Sequence, residues 1–310
     1  MASEPSNRFA SPVEVRPVET PIRVAFRNIV VATDFSPASE RALNYAIAIA
    51  RRYEAHIYLA HVIRPDLYTL QPLEASGGMI ELVHQAAEQE MAELLISGRL
   101  REVPHQAVIR EGEVWTVLEE LAGENEADLI VLGTHGRTGF EKMFLGSVAE
   151  RVFRLSERPV LTVGPGVAKQ APEEAELKHI VYATDFSTYP RGALPYALSL
   201  AQEHQARLTL LHIVENEPDV APETITRLRH FFTERLRALL PPGADLWCYP
   251  EFVVSFGDPV ERILEVAEDN EADLVVLGIR GGGVAVAHMP PANAYRIVCQ
   301  ATCPVLTVRG

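Results

Sequence analysis

The chain has 310 residues, 47% of them hydrophobic and 23% charged, too many for one ordinary core and enough for about two folded domains. Its 28 Lys and Arg stand against 42 Asp and Glu, and the formal charge of −14 opposes general attraction to a nucleic-acid backbone or an anionic membrane, so any anion site must be built locally. No apolar run approaches the roughly 20 residues of a membrane helix, and the polar start MASEPSNRFASPVEVRPVETP lacks the character of a secretory signal, which makes the cytoplasm the expected compartment.

Residues 1–25 read as an N-terminal arm. Asn28–Thr33 is apolar and β-branched and predicts a strand, and Ser36-Pro37 supplies the N-cap and first residue of a helix over Pro37–Tyr53. His56–Ile63 follows as a strand, Gly78–Arg101 as a long helix, Gln106–Arg110 as a strand and Glu113–Asn125 as a helix. Asp128–Leu132 is the next strand, Ser147–Ser156 the next helix, and Val160–Val163 closes the unit. Strands that alternate with helices and run almost continuously apolar imply a parallel sheet covered on both faces.

The same order then returns. NIVVATDFS at 28–36 recurs as HIVYATDFS at 179–187, an offset of 151. EADLIVLG at 126–133 recurs as EADLVVLG at 271–278, and PVLTV at 159–163 recurs at 304–308, both at an offset of 145. This period is a whole duplicated domain rather than a solenoid repeat. The expected domains are residues 26–164 and 179–310, joined by a linker at 165–178 whose Pro, Gly and charge content suits an exposed connection. The two PVLTV strands are apolar and terminal, and pairing them would remove two open edges.

Ligands of open parallel sheets sit beyond the carboxyl ends of strands, where neighbouring connections leave toward opposite faces. Two connections carry suitable residues, ATDFS after the first strand and GTHGRTGFEKMFLGS, residues 133–147, after the fourth. Glycines let backbone amides approach a ligand, and Gly146-Ser147 opens a helix whose N–H groups and positive dipole end favour phosphate. The loop lacks the G-K-[ST] of a Walker loop and follows the wrong strand for a dinucleotide fingerprint. His61 and His212 recur at matching positions and read as structural, as does an Asx turn at Asp34 beside its ligand-binding reading. Trp115 reads as packing. Cys248, Cys299 and Cys303 form no disulfide framework or metal spacing, and the last two read as buried thiols.

Gly133, Gly136, Gly146 and Ser147 fill the spacing G-x2-G-x9-G-S. With V-x-T-D-x-S near the start and the closing PVLTV strand, the chain resembles the universal stress protein family, and it does so in both halves, as a tandem member. The resemblance implies an α/β fold of two tandem doubly wound five-stranded parallel-sheet domains, adenine-nucleotide alpha-hydrolase-like, paired as an intrachain pseudo-dimer, with homodimer formation left open. It implies ATP as ligand, with Ala32, Thr33, Asp34 and Val62 against adenine and ribose. Gly133 and Gly136 would line the ribose and phosphate path, and Gly146, Ser147 and Val148 would hold the phosphates. Leu132 and Gly139 are further nucleotide-binding candidates, and the residues themselves offer His135 and Arg137 as positive charge or as shapers of the entrance. Asp34 and Glu141 are the acidic residues available to a Mg²⁺ carried by those phosphates.

The second half keeps Gly278 and Gly281 but replaces Gly146-Ser147 with Pro291-Ala292, losing an amide and a hydroxyl. One competent site, in the first half, is therefore expected. No Ser/His/Asp relay, paired carboxylates or metal cluster accompanies it. The leading expectation is a nucleotide-responsive regulator in stress response, with a slow Mg-dependent ATPase and a nucleotide-free scaffold as alternatives. Its protein partner is not readable from the sequence.

Overall fold

The computed structural model describes residues 24–64, 73–134, 146–167, 176–186, 192–215, 221–242, 249–279 and 291–309. The first half runs β1 (Asn28–Ala32), α1 (Pro37–Tyr53), β2 (His56–Ile63), α2 (Leu73–Ile96), β3 (His105–Glu111), α3 (Val114–Glu124), β4 (Leu129–Gly133), α4 (Ser147–Leu155) and β5 (Val160–Val163). The second runs β6 (His179–Ala183), α5 (Ala193–His204), β7 (Arg207–Val214), α6 (Pro222–Arg237), β8 (Tyr249–Phe256), α7 (Pro259–Asp269), β9 (Leu274–Ile279), α8 (Pro291–Gln300) and β10 (Val305–Arg309).

Local chemistry accounts for the clearest boundaries. Ser36 caps α1 by accepting from the Ser39 N–H, Pro37 fixes the first φ, and the helix closes on Glu54 in the left-handed region. The long helix α2 lies five residues earlier than the sequence pattern suggests, at Leu73–Ile96 instead of Gly78–Arg101. Its stop is local: Ser97 and Gly98 donate back to carbonyls of the last turn, and Gly98 takes φ 79, which a side chain resists.

All ten strands form one sheet, ordered β3-β2-β1-β4-β5-β10-β9-β6-β7-β8. Pairing within each half is parallel. The seam between halves is antiparallel and joins the two PVLTV segments, β5 to β10. Leu161 faces Leu306 there, and these are repeat equivalents at offset 145, so the register is self-complementary about a pseudo-two-fold axis. The seam gives each terminal strand a partner and so extends the sheet without an open edge at its centre.

One apolar core, containing residues of α1, α2, α5 and α6, covers one face of the sheet continuously. The other face carries two clusters, one under α3 and α4 in the first half and one under α7 and α8 in the second, the latter also taking in Phe153 of α4. The beginning of the connecting segment is packed against the second half: Val167 is buried, and a Cβ on Gly164 or Gly166 would meet carbonyls of Val298 or Ala301 at 2.7 and 2.8 Å. Val24 also reaches across, donating its N–H to Ser199 Oγ on α5 at 2.7 Å. Residues 1–23 lie outside the described residues. No described helix is long and apolar enough to cross a membrane.

Candidate functional site

β1 and β4 are hydrogen-bonded neighbours, which places the connections after them side by side. α1 leaves β1 toward one face and α4 leaves β4 toward the other, so this is the topological switch point of the first half. The connection after β4 lies outside the described residues from 135 to 145, so the description of this region rests on the turn after β1 and on the start of α4.

The turn after β1 is held by a set of contacts that recurs in both halves. Phe35 adopts φ 62 and Phe186 φ 61, a left-handed conformation unusual for an aromatic residue. In each case the N–H of the phenylalanine donates to the hydroxyl two residues earlier, Thr33 or Thr184, at 3.0 Å. The carbonyl of that threonine lies 2.9 Å from Nδ1 of His61 or His212, and since a carbonyl only accepts, Nδ1 carries the proton. The rings then pack, Phe35 on His61 at 4.6 Å and Phe186 on His212 at 4.5 Å. The two histidines fasten the turn, which is the structural role read from their recurrence.

In the first half this turn borders a cleft of about 260 Å³. Asp34, Phe35, His61 and Val62 form its strand side, and Val83, Ala86, Ala87 and Glu90 of α2 form the opposite wall. Ile63 and Arg64 continue the rim. Asp34 Oδ1 accepts from the Ser36 N–H at 3.1 Å, so the Asx turn is present and orients the carboxylate at the cleft.

In the second half, aromatic and cationic side chains of α6 pack directly on the turn among the described residues. Phe232 of α6 lies 4.5 Å from the His212 ring and stacks over Phe186 at 6.0 Å. The Arg235 guanidinium sits 4.1 Å above the Phe186 ring. At offset 145, Ala86, Ala87 and Glu90 become Phe231, Phe232 and Arg235. Burial, and secondarily the nearby Arg235 charge, push the His212 imidazole below its ordinary pKa.

The remaining expected site residues divide. Val62 lines the cleft, whereas Leu132 is buried in the core beneath α3 and α4. Ala32 packs against that same core, and Thr33 is buried with its hydroxyl engaged by Phe35 and Ser39. Gly133 is required by packing: a Cβ there would stand 2.8 Å from the backbone of Ala38 in the first turn of α1. Among the described residues, its counterpart Gly278 meets the Ala193 Cβ, at 3.9 Å.

Gly146 is the N-cap of α4, and no side chain caps that helix among the described residues. Its own N–H donates to the Thr134 carbonyl at 2.8 Å. The anion-donor role expected of this amide is thus taken by loop closure, and the donors offered by α4 begin at the exposed Ser147 and at Val148. His135, Gly136, Arg137, Gly139 and Glu141 lie outside the described residues, as do Gly281 and the other residues of 280–290.

The sequence reading missed the α2 wall and its aromatic counterpart on α6. Trp115 does pack at the margin of the α3–α4 core. Cys299 and Cys303 are buried free thiols, pushed by burial up to about 11 and about 12.

A sequence model of the universal stress protein family matches residues 25–164 and again 176–309. The chain belongs to the universal stress protein family. A universal stress protein of Methanocaldococcus jannaschii is 34% identical over 139 residues, covering 44% of this chain and 82% of that one. Among solved structures, a universal stress protein of Archaeoglobus fulgidus spans 91% of this chain and 98% of its own, with a TM-score of 0.66 at 20% identity, a likeness of fold. A single-domain-length universal stress protein solved in complex with cAMP is 28% identical, covering 45% of this chain and 98% of its own, with a TM-score of 0.30.

Proposed function

We propose that this universal stress protein binds an adenine nucleotide, ATP in the first instance, at one site in its first half, and that occupancy regulates contact with a protein partner in stress response. The observation that carries this reading is the contrast between the clefts: the first holds about 260 Å³ beside Asp34, and at the equivalent place α6 inserts Phe232. The first cleft suits a flat base and its sugar. Phe35, His61, Val62, Val83 and Ala86 supply apolar and aromatic wall, and Asp34 supplies an acceptor for hydroxyls. The uncapped start of α4, with Ser147 exposed, supplies donors for phosphate.

A Mg²⁺ would arrive with the phosphates, and Asp34 is the described carboxylate on that side of the cleft; groups of three or more metal-type ligands are absent among the described residues. Calorimetric titration with ATP tests the reading. One saturable site per chain is expected, and two equivalent sites or none would overturn it. Single-turnover phosphate release separates the regulator from a slow ATPase.

A further inference from the structure

A second cavity, of about 200 Å³, lies at the seam on the face of the sheet covered by α1 and α5. Its walls come in repeat-equivalent pairs: Ile49 with Leu200, Leu129 with Leu274, and Leu161 with Leu306. It therefore straddles the pseudo-two-fold axis and belongs to neither half alone. The four strand leucines are buried, and they make an apolar floor. An apolar cavity of roughly 150 Å³ is enough to admit benzene, so this volume suits a fused ring of about ten heavy atoms.

The rim is polar and built in a fixed arrangement. Leu177 donates its N–H to His204 Nδ1 at 3.3 Å, which leaves the proton on Nε2, facing Tyr53 Oη at 3.4 Å. Asp273 is held by the N–H groups of Lys178 and His179, at 2.7 and 2.9 Å. The charged side chains acting on His204 are Arg52 and the carboxylates of Glu203, Glu176 and Asp273, a negative balance. Glu176 and Asp273 line the cavity itself.

We propose that this seam cavity binds a small cationic amphiphile, its fused ring on the leucine floor and its ammonium at the rim beside Glu176 and Asp273. The nucleotide cleft takes no part in the inference, which stands whether or not ATP binds. A ligand seated across the axis contacts both halves and stabilises their pairing by mass action.

The test uses the full chain and three probes of one ring, tryptamine, indole and indole-3-propionate, followed by calorimetry. Tryptamine should saturate one site per chain and bind about tenfold more tightly than indole-3-propionate, with indole between them. Ile49→Trp, which fills the cavity from α1, should abolish tryptamine binding. Glu176→Gln, on the exposed rim, should weaken tryptamine by about fivefold and leave indole unchanged, a readout that survives if the tryptophan variant fails to fold. The absence of saturable binding, equal affinity for cation and anion, or tryptamine binding that persists in folded Ile49→Trp, as it would in the first cleft, each overturns the proposal.

Discussion

At the end of β2, His61 looks across open space to two alanines of α2, whereas at the end of β7 His212 is met by the Phe232 ring at 4.5 Å. Beneath both histidines the turn is the same, with its left-handed phenylalanine, its threonine hydroxyl and its imidazole on the carbonyl. The turn is therefore part of the fold, kept where Phe232 covers the histidine. What separates the halves is the helix laid over it. Short side chains on α2 leave a cleft beside His61, and an aromatic one on α6 covers His212.

The largest expected effect tests the loop closure. Gly146 already has φ −61, which proline accepts, so Gly146→Pro removes the N–H bond to Thr134 while leaving the local backbone path available. ATP affinity should fall by about a hundredfold, about 2.7 kcal/mol by titration, with the circular dichroism spectrum preserved. Next, Phe232→Ala should cost about 2 kcal/mol in denaturant unfolding, because a half-buried ring leaves His212 and Phe186 uncovered, and it should create no second ATP site while Pro291 heads α8. The converse change, Ala87→Phe, should lower ATP affinity by about tenfold at unchanged melting temperature, making the first half resemble the second.

A smaller difference separates the paired glycines. Gly133→Ala drives a methyl to 2.8 Å from the Ala38 backbone and should destabilise by about 1 to 2 kcal/mol, while Gly278→Ala, whose nearest described neighbour is the Ala193 Cβ at an ordinary contact distance of 3.9 Å, should change stability by less than about 0.5 kcal/mol. The smallest effect is pH-dependent. Burial lowers the His212 pKa in the folded state, as it does those of His204 and His56. The unfolded chain then binds more protons below its ordinary value of about 6.5, so the stabilisation is complete above that pH and is lost as pH falls beneath it. His212→Gln should flatten the decline in melting temperature between about pH 7 and about pH 5.5, by under about 1 kcal/mol.

Much of this architecture was legible in the sequence. α1, β2 and β5 lie where apolar periodicity and the Ser36-Pro37 start put them, and the two PVLTV segments pair as their open edges demand. α2 lies five residues earlier than its apolar pattern suggests, because the helix stops at Ser97-Gly98, a local turn that periodicity does not mark. The candidate site was read only in part. Glycine at 133 speaks equally for a ligand and for close helix packing, and only the Ala38 contact distinguishes them. Phe231-Phe232 looks like ordinary core at helical spacing. Its meaning emerges when Ala86-Ala87 is set opposite at offset 145, once the turn beneath both is seen to be identical.

The antiparallel seam has one more consequence. A homodimer cannot treat its subunits differently, since each change in the gene alters both copies of every residue. Fusing the copies end to end frees them from that rule while keeping Leu161 against Leu306. One half is then at liberty to exchange its cavity for a ring and serve as a permanent companion to the other, a division of labour that identical subunits could never inherit.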